Sequence, residues 1–307
     1  MKFSIILAKE QHYRLIVVGG GTAENRLTLN EGDMQLTYDY MVIATGLELR
    51  YDLIEGLPHG QNHVEGHHKK FVILAEDIFR ENGVREGSRV IYCTSLGAVF
   101  GVPKYSNALM TVIKDRGIEL FTRLNLAKVD DVEFKYNLLH IGAPCSPVSE
   151  LRNHAQQKEN NLTDAQGFVK VDPKTLQSPT YKNIFAIGDC ANTPNAKTAA
   201  AVSSQLKALF PNLLSAMEGN NLTKFYDGYS SCPLLVDRKH VILAEFTPNG
   251  PLETFPFDQS KPRRISYLMK RYLMPPLYWL LLVRGYWLGP ERLRKLFHPF
   301  TSSKTTQ

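Results

Sequence analysis

Four cysteines are spread through 307 residues, at 93, 145, 190 and 232, with no regular spacing. That excludes a disulfide scaffold and fits either a thiol-keeping compartment or thiols used chemically. No apolar run reaches the ~20 residues that cross a bilayer. The greasy stretch from Phe3 to Ala8 falls short of the ~7–15 apolar residues of a secretory h-region and decides no targeting. No internal repeat or low-complexity run occurs, which excludes solenoids and biased linkers. His63, His67 and His68 stand together without a cysteine or acid cluster, so no metal site is expected.

What is present reads as a folded protein. The chain is 43% hydrophobic and 21% charged, enough for one large or two ordinary domains. Charge is unevenly placed. Residues 261–307 hold ten Lys/Arg and one acid, Glu291, while the whole chain carries only +6, so its remainder is mildly acidic. A basic tail points to a polyanionic surface. This tail is too apolar for a simple phosphate stripe, which argues against nucleic acid.

Tyr13 to Val18 reads as a strand running into Gly19-Gly20-Gly21. A nucleotide-binding loop would continue into a helix whose first N–H groups face a pyrophosphate. Instead Glu24, Asn25, Thr28, Asn30 and Gly32 follow, with no helical stripe. Further on, "YDYMVIATG" carries a second strand, Tyr40 to Ala44, stopping at Gly46, with Thr45 between. Lys70 to Asn82 reads as a helix with Phe71, Leu74, Ala75, Ile78 and Phe79 on one face and Gly83 closing it. "SRVIYCTSLG" is a buried strand with Cys93 as a structural thiol, "SNALMTVIKDRG" a helix, and "IELFTRLNLAKVDDVEF" two strands. Alternating strands and helices define an α/β fold with a parallel sheet.

The most informative motif is "TLQSPTYKNIFAIGDC", Thr175 to Cys190. A hairpin and a buried strand, Ile184 to Ile187, end at Gly188-Asp189 before an Ala-rich helix from Lys197 to about Met217. Gly188 allows close backbone approach to a ligand, and Asp189 can accept from a sugar-like hydroxyl. The helix start, with Lys197 and Thr198 in its first turn, suits a pyrophosphate or an anionic flavin ring. "LIVVGGG", the Ala-Thr-Gly strand and this motif occur in the order found in flavoproteins. Together they predict FAD and two Rossmann-like FAD/NAD(P)-binding-type domains, the first incomplete. In the second, "CTSLGAVFGVPKY" puts Phe100 and Pro103 where a GxGxxG loop needs small residues, so NAD(P)H is not expected there.

In the tail, Ile265, Leu268, Met269, Tyr272 and Leu273 follow helical spacing. Pro275-Pro276 should stop that helix, Leu277 to Val283 forms a second apolar piece, and Pro290 opens a third. Short amphipathic pieces rich in Trp, Tyr and Arg predict an anchor lying in one leaflet. Cys232, in "YDGYSSCPLLV", lies between the flavin part and this tail.

These stretches together resemble sulfide:quinone oxidoreductase of the eukaryotic, mitochondrial type. The match is carried by "YDYMVIATGLELRYDLIEGLP", "TSLGAVFGVPKYSNAL", "NIFAIGDCANTPNAKTAAAV", "YDGYSSCPLL", "VILAEFTPNGPLETFPFDQSK" and "YLMPPLYWLLLVRGYWLGPERLRKLFH", over most of residues 38–300. The resemblance implies oxidation of hydrogen sulfide at a redox-active cysteine pair beside FAD. Electrons pass to ubiquinone, and sulfur passes to a small acceptor such as glutathione or sulfite, at the mitochondrial inner membrane. It implies Cys232 as the second cysteine of the pair. FAD would be held by Gly19, Gly21, Thr22, Thr45, Gly46, Gly188, Asp189, Lys197 and Thr198. It divides the chain into a discontinuous FAD-binding part (1–48 and 165–225), a second Rossmann-like part (49–164) and a quinone- and membrane-associating region (226–307).

Two departures bear on function. The helix expected after the glycines is missing with its neighbours, and neither Glu31 nor Asp33 makes a convincing ribose-binding acid. The family's other cysteine precedes "KKFVILAEDIF", where this chain reads "NHVEGHHKK". Impaired FAD binding and sulfide oxidation are therefore expected. The rival readings are an NADH:quinone oxidoreductase of the same fold and a catalytically dead, membrane-associated remnant.

Overall fold

The structure is a computed structural model that describes residues 12–18, 26–29, 34–55, 68–125, 138–157 and 160–299. The triple glycine, including the candidates Gly19, Gly21 and Thr22, lies outside the described residues, as do His63 and His67. In chain order the first strands are β1 (His12–Val18), β2 (Arg26–Leu29), β3 (Met34–Ile43) and β4 (Glu48–Leu49). Then come α1 (His68–Glu81), β5 (Ile91–Thr94), α2 (Pro103–Asp115), β6 (Glu119–Thr122), β7 (Cys145–Ser146) and α3 (Ser149–Ala155). They are followed by β8 (Ile184–Ala186), α4 (Ala199–Met217), β9 (Ser230–Leu235), β10 (Val241–Thr247) and β11 (Gly250–Pro251). The tail holds α5 (Arg264–Leu268), α6 (Met274–Pro276) and α7 (Glu291–Phe297). The chain divides into two compact units, Met1–Glu48 with Cys145–Gly228, and Leu49–Pro144 with Tyr229–Gln307.

The first unit is built on β3. Parallel β1 pairs with one edge of it, Val18 level with Ile43. The other edge is shared: β2 pairs antiparallel with Met34 to Thr37, and β8 pairs parallel with Met41 to Ile43. Tyr38, Met41 and Ile43 pack with Leu151, Leu162 and Ile184 in one buried cluster, so the segment after Cys145 belongs to this core. Seven residues, outside the described ones, separate β1 from β2, and the next described element is a strand. In place of the expected hairpin within 167–183, isolated bridges Thr163–Val169 and Gln177–Phe185 tie the chain down.

The second unit holds parallel β5 and β6, and the antiparallel ribbon β9-β10-β11. Phe100 stacks edge-on against Phe246 at 5.4 Å and Tyr105 at 6.2 Å. The Tyr105 hydroxyl donates to the Glu245 carbonyl at 2.9 Å. Helix α1 has the expected C-terminal glycine, Gly83 at φ +70°, with Val84 N–H donating to Phe79 C=O.

Its buried face differs from the expectation. Val72, Ile73 and Glu76 are buried, and Ile78 is half exposed. Glu76 turns inward because three guanidinium groups meet it there. Arg80 donates at 2.6 Å, Arg85 at 3.0 Å and Arg116 at 2.5 Å. Asp77 pairs with the same Arg116 and accepts from the Arg238 N–H in the β9–β10 turn. Burial alone would raise the Glu76 pKa. The hydrogen bonds from Arg80, Arg116 and Arg85 and the Arg116 charge outweigh that and hold it below its ordinary value.

The tail corrects a second expectation. Pro275-Pro276 does not stop the helix. One helical run continues from α5 through a π-helical stretch, Met269–Leu273, then α6 and a second π-helical stretch, Leu277–Leu282. The φ of Pro276, −63°, is already helical. The wider turns on each side absorb the missing donors. Pro290 sits at the N-cap of α7, one position before the N1 site expected of it. Among the described residues no helix is long and apolar enough to cross a membrane.

A depressed pKa adds stability above the unfolded-state pKa, and that stability is lost as pH falls through the folded-state value. Glu76→Gln is therefore expected to cost about 2 kcal/mol at neutral pH. It should also flatten the loss of stability below the ordinary carboxyl pKa of 4.5. Thermal unfolding followed against pH checks both; an unchanged acid limb would show that Glu76 is not the coupled group.

Candidate functional site

Because β3 and β8 run parallel in register, their carboxyl ends emerge side by side. The Ile187 N–H donates to Ile43 C=O at 3.0 Å. That sets Thr45-Gly46 next to Gly188-Asp189 at one edge of the first unit. Open α/β sheets take ligands at such strand ends. Strand β1 ends at the same level, and the glycines follow it.

Two glycines shape this edge. Gly46 has φ +74° and nothing within 4 Å of where a Cβ would stand, so its backbone lies open. Gly188 has φ +79°, a conformation that few other residues adopt. Its N–H donates at 2.9 Å to Oε1 of Gln205, a fully buried side chain on α4. Gln205 in turn reaches the buried Asn195 at 3.5 Å. Neither residue was singled out from the sequence. The available signal was a run of polar residues, Ser203, Gln205 and Asn212, on the buried side of an otherwise apolar helix.

Asp189 sits in a single 3-10 turn, Gly188–Cys190, and its carboxylate makes no hydrogen bond among the described residues. Burial raises its pKa, and the Lys197 charge only partly offsets this. Burial lowers the Lys197 pKa, partly offset by Asp189. In both groups desolvation outweighs mutual attraction, so the pair leaves electrostatic capacity unused. Lys197 is not in the first turn of α4 as expected. The helix begins at Ala199, where the Thr198 hydroxyl, at the N-cap, accepts the Ala201 N–H at 3.1 Å. Lys197 lies before that cap. Its ammonium turns back onto the Ala191 carbonyl, reaches the Thr193 carbonyl at 3.5 Å, and stands 5.5 Å from the Phe168 ring centre.

The residues present fit a polar, hydroxyl-bearing cofactor. The Thr193 hydroxyl is buried without a partner. The Thr45 hydroxyl is buried without a well-formed hydrogen bond, and its neighbour is the Cys190 thiol. Unpaired buried donors are rare in finished protein interiors. Cys190 itself packs: its Sγ lies 3.5 Å from Ile43 O and 3.4 Å from Ile187 O, and burial raises its pKa.

In the second unit Cys232 is buried on β9, opposite Ala244. Alternation places Ser230, Cys232 and Leu234 on one face, opposite Phe246, Ala244 and Ile242. Helix α1 packs against β9. The stretch "NHVEGHHKK" leads into this helix. None of the four cysteines forms a disulfide. Cys93 is exposed on β5, contrary to the structural role expected of it, because that position faces out of the two-stranded sheet. No metal-binding cluster occurs among the described residues. After β5, Val99, Phe100 and Val102 turn inward and are buried, filling the loop where a second nucleotide would approach.

The fold and the strand-end site define an α/β protein of the dinucleotide-binding class. The chain superposes with a TM-score of 0.69 on the sulfide:quinone oxidoreductase of the hyperthermophilic bacterium Aquifex aeolicus, at 15% identity, covering 90% of this chain and 76% of that one. No family model matches the sequence. The mitochondrial sulfide:quinone oxidoreductase of Mus musculus is 37% identical over 329 residues, covering 90% of this chain and 72% of the relative. That of Dictyostelium discoideum is 32% identical over 323 residues, covering 88% and 70%. The chain belongs to the sulfide:quinone oxidoreductase family. The span aligned with the mouse protein, 329 residues, exceeds the 307 of this chain, so the match crosses positions that this chain lacks.

Replacing Gln205 by Leu would leave the Gly188 N–H buried without an acceptor. The expected cost is about 1–3 kcal/mol. Thr198→Ala, which removes the α4 cap, is expected to cost about 1 kcal/mol. Urea unfolding of the two variants measures both; unchanged midpoints would show that neither bond forms in solution.

Proposed function

We propose that the strand-end edge of the first unit holds FAD. Thr45, Gly46, Gly188, Asp189, Lys197 and Thr198 would line it, with Gly19, Gly21 and Thr22 of the preceding loop. The FAD-binding role falls to residues 1–48 and 165–225, and the quinone- and membrane-facing role to residues 226–307. The single observation that carries this reading is the junction of two flavin-type strand ends, with the Thr193 hydroxyl buried without a partner and the Asp189 carboxylate beside the Lys197 charge. Bound FAD would supply a two-electron acceptor that a quinone can reoxidise. Asp189 would accept from a hydroxyl of the cofactor, and Lys197 would meet negative charge at the same edge.

Cys232 is proposed as the thiol of the sulfide site. In the family's chemistry, hydrosulfide opens a disulfide: an S–S bond breaks, a persulfide S–S bond forms, and one thiolate leaves. A lone Cys232 has no partner sulfur at the matched place, where "NHVEGHHKK" stands. With the helix after the glycines also missing, this chain is proposed to bind FAD weakly and to be impaired in passing electrons from hydrogen sulfide to ubiquinone. The sulfur acceptor would be a small thiol or sulfite, as for the family. The proposed location is the mitochondrial inner membrane surface, reached through residues 261–307. Exposed Trp279, Tyr286 and Leu296 support that assignment.

An NADH:quinone oxidoreductase remains the rival enzyme. Buried Phe100 after β5 supports the sulfide reading over it.

The purified chain is expected to carry well under one flavin per polypeptide by visible absorbance. It should show little sulfide-dependent quinone reduction and no NADH oxidation. A full flavin complement with rapid sulfide-dependent turnover would contradict the impairment. NADH-driven quinone reduction would move the assignment to the rival enzyme.

A further inference from the structure

Eight of the nine described basic side chains of the tail, all but Lys270, fall into two groups. Arg263 lies 4.9 Å from the Phe257 ring centre. Arg271 lies 5.4 Å from that of Tyr272 and donates to the Tyr267 hydroxyl at 2.6 Å. Arg294 lies 5.1 Å from that of Tyr229. These three spend their charge on aromatic faces. Lys295 takes Glu291, the tail's single acid, at 2.7 Å.

Lys261, Arg264, Arg284 and Arg292 form the second group. All four are exposed, and none meets a carboxylate among the described residues. They are spaced along the apolar surface. Lys261 and Arg264 stand at the start of the helical run, Arg284 just beyond its end at Leu282, and Arg292 on α7. Between and beside them Tyr272 is 63% exposed, Trp279 65%, Tyr286 76% and Leu296 70%. No carboxylate in the tail remains to balance the four cations. A surface that buries those aromatic and leucine side chains would bring the cations to headgroup depth, and unbalanced cations there need phosphate.

Resting on the membrane reading above, we infer that the tail selects an anionic bilayer, one whose lipid headgroups carry net negative phosphate. The apolar side chains supply insertion, which any bilayer accepts. The four unpaired cations supply the preference for lipid charge. The first contribution is insensitive to salt. The second fades as the Debye length shortens from about 10 Å at ~0.1 M to about 3 Å at ~1 M salt.

Flotation of the full-length protein tests this, with vesicles of phosphatidylcholine alone and of phosphatidylcholine mixed with phosphatidylglycerol. The wild type should partition at least ~100-fold better onto the anionic vesicles, given about one kcal/mol for each cation near such a surface. Most of that difference should vanish at ~1 M salt. The variant K261Q/R264Q/R284Q/R292Q should bind both vesicles alike, while a control with Lys114, Lys174, Lys182 and Lys224 changed to Gln should keep the preference. Equal, salt-insensitive binding by the wild type would overturn the inference and leave the membrane reading standing. Binding to neither vesicle would remove both. Loss of the preference in the body control, or release from vesicles by single-stranded RNA, would also overturn the inference. The first would assign the effect to overall charge, and the second to nucleic acid.

Discussion

The parallel pairing of β3 with β8 is the constraint on which the first unit depends. It joins residues far apart in sequence, and its hydrogen bonds place Ile43 beside Ile187. The same register faces Met41, Ile43, Ile184 and Ala186 into one core. A slip of one residue would flip β8, take Ile184 and Ala186 out of this core and put the two strand ends out of level. Everything assigned to the site follows from that junction: the open backbone at Gly46, the left-handed Gly188, and the carboxylate of Asp189.

The buried carboxylates of the second unit and the charged pair at this edge are treated differently by their surroundings. In the second unit the buried carboxylates Glu76 and Glu245 are satisfied. Glu76 meets three guanidinium groups, and Glu245 accepts from Thr254 and Gln259. At the strand ends of the first unit, Thr193 lacks a partner, and the Asp189–Lys197 pair is dominated by desolvation. Satisfied networks hold a fold together, and under the proposal above bound FAD would supply the partner that the Thr193 hydroxyl lacks.

Much of the fold was legible where one local signal decides. Strand β8 read correctly from an apolar run ending in Gly-Asp, and α2 from "SNALMTVIKDRG", although the helix begins earlier, at Pro103. The C-terminus of α1 read correctly from Gly83. What misled the reading was long-range or subtle. Helix α1 hides Glu76 because Arg85, just past its end, and Arg116, 40 residues further along the chain from Glu76, turn onto it, and no periodicity can report that. Pro275-Pro276 looked like a stop, yet wider helical turns on each side carry the chain through. Lys197 looked like part of α4 because Ala-rich sequence follows, but the Thr198 hydroxyl sets the start two residues later. Of the site, the paired motifs were visible from spacing, whereas the Gln205 contact that fixes Gly188 was not, since it is a tertiary hydrogen bond from the middle of a helix.

Amide hydrogen exchange with and without added FAD tests the central claim most directly. The account predicts slower exchange at Gly46 and in the Gly188–Cys190 turn together, because both strand ends would face the same molecule. Protection confined to the Gly97–Val102 loop, or no change at either strand end at saturating FAD, would contradict it.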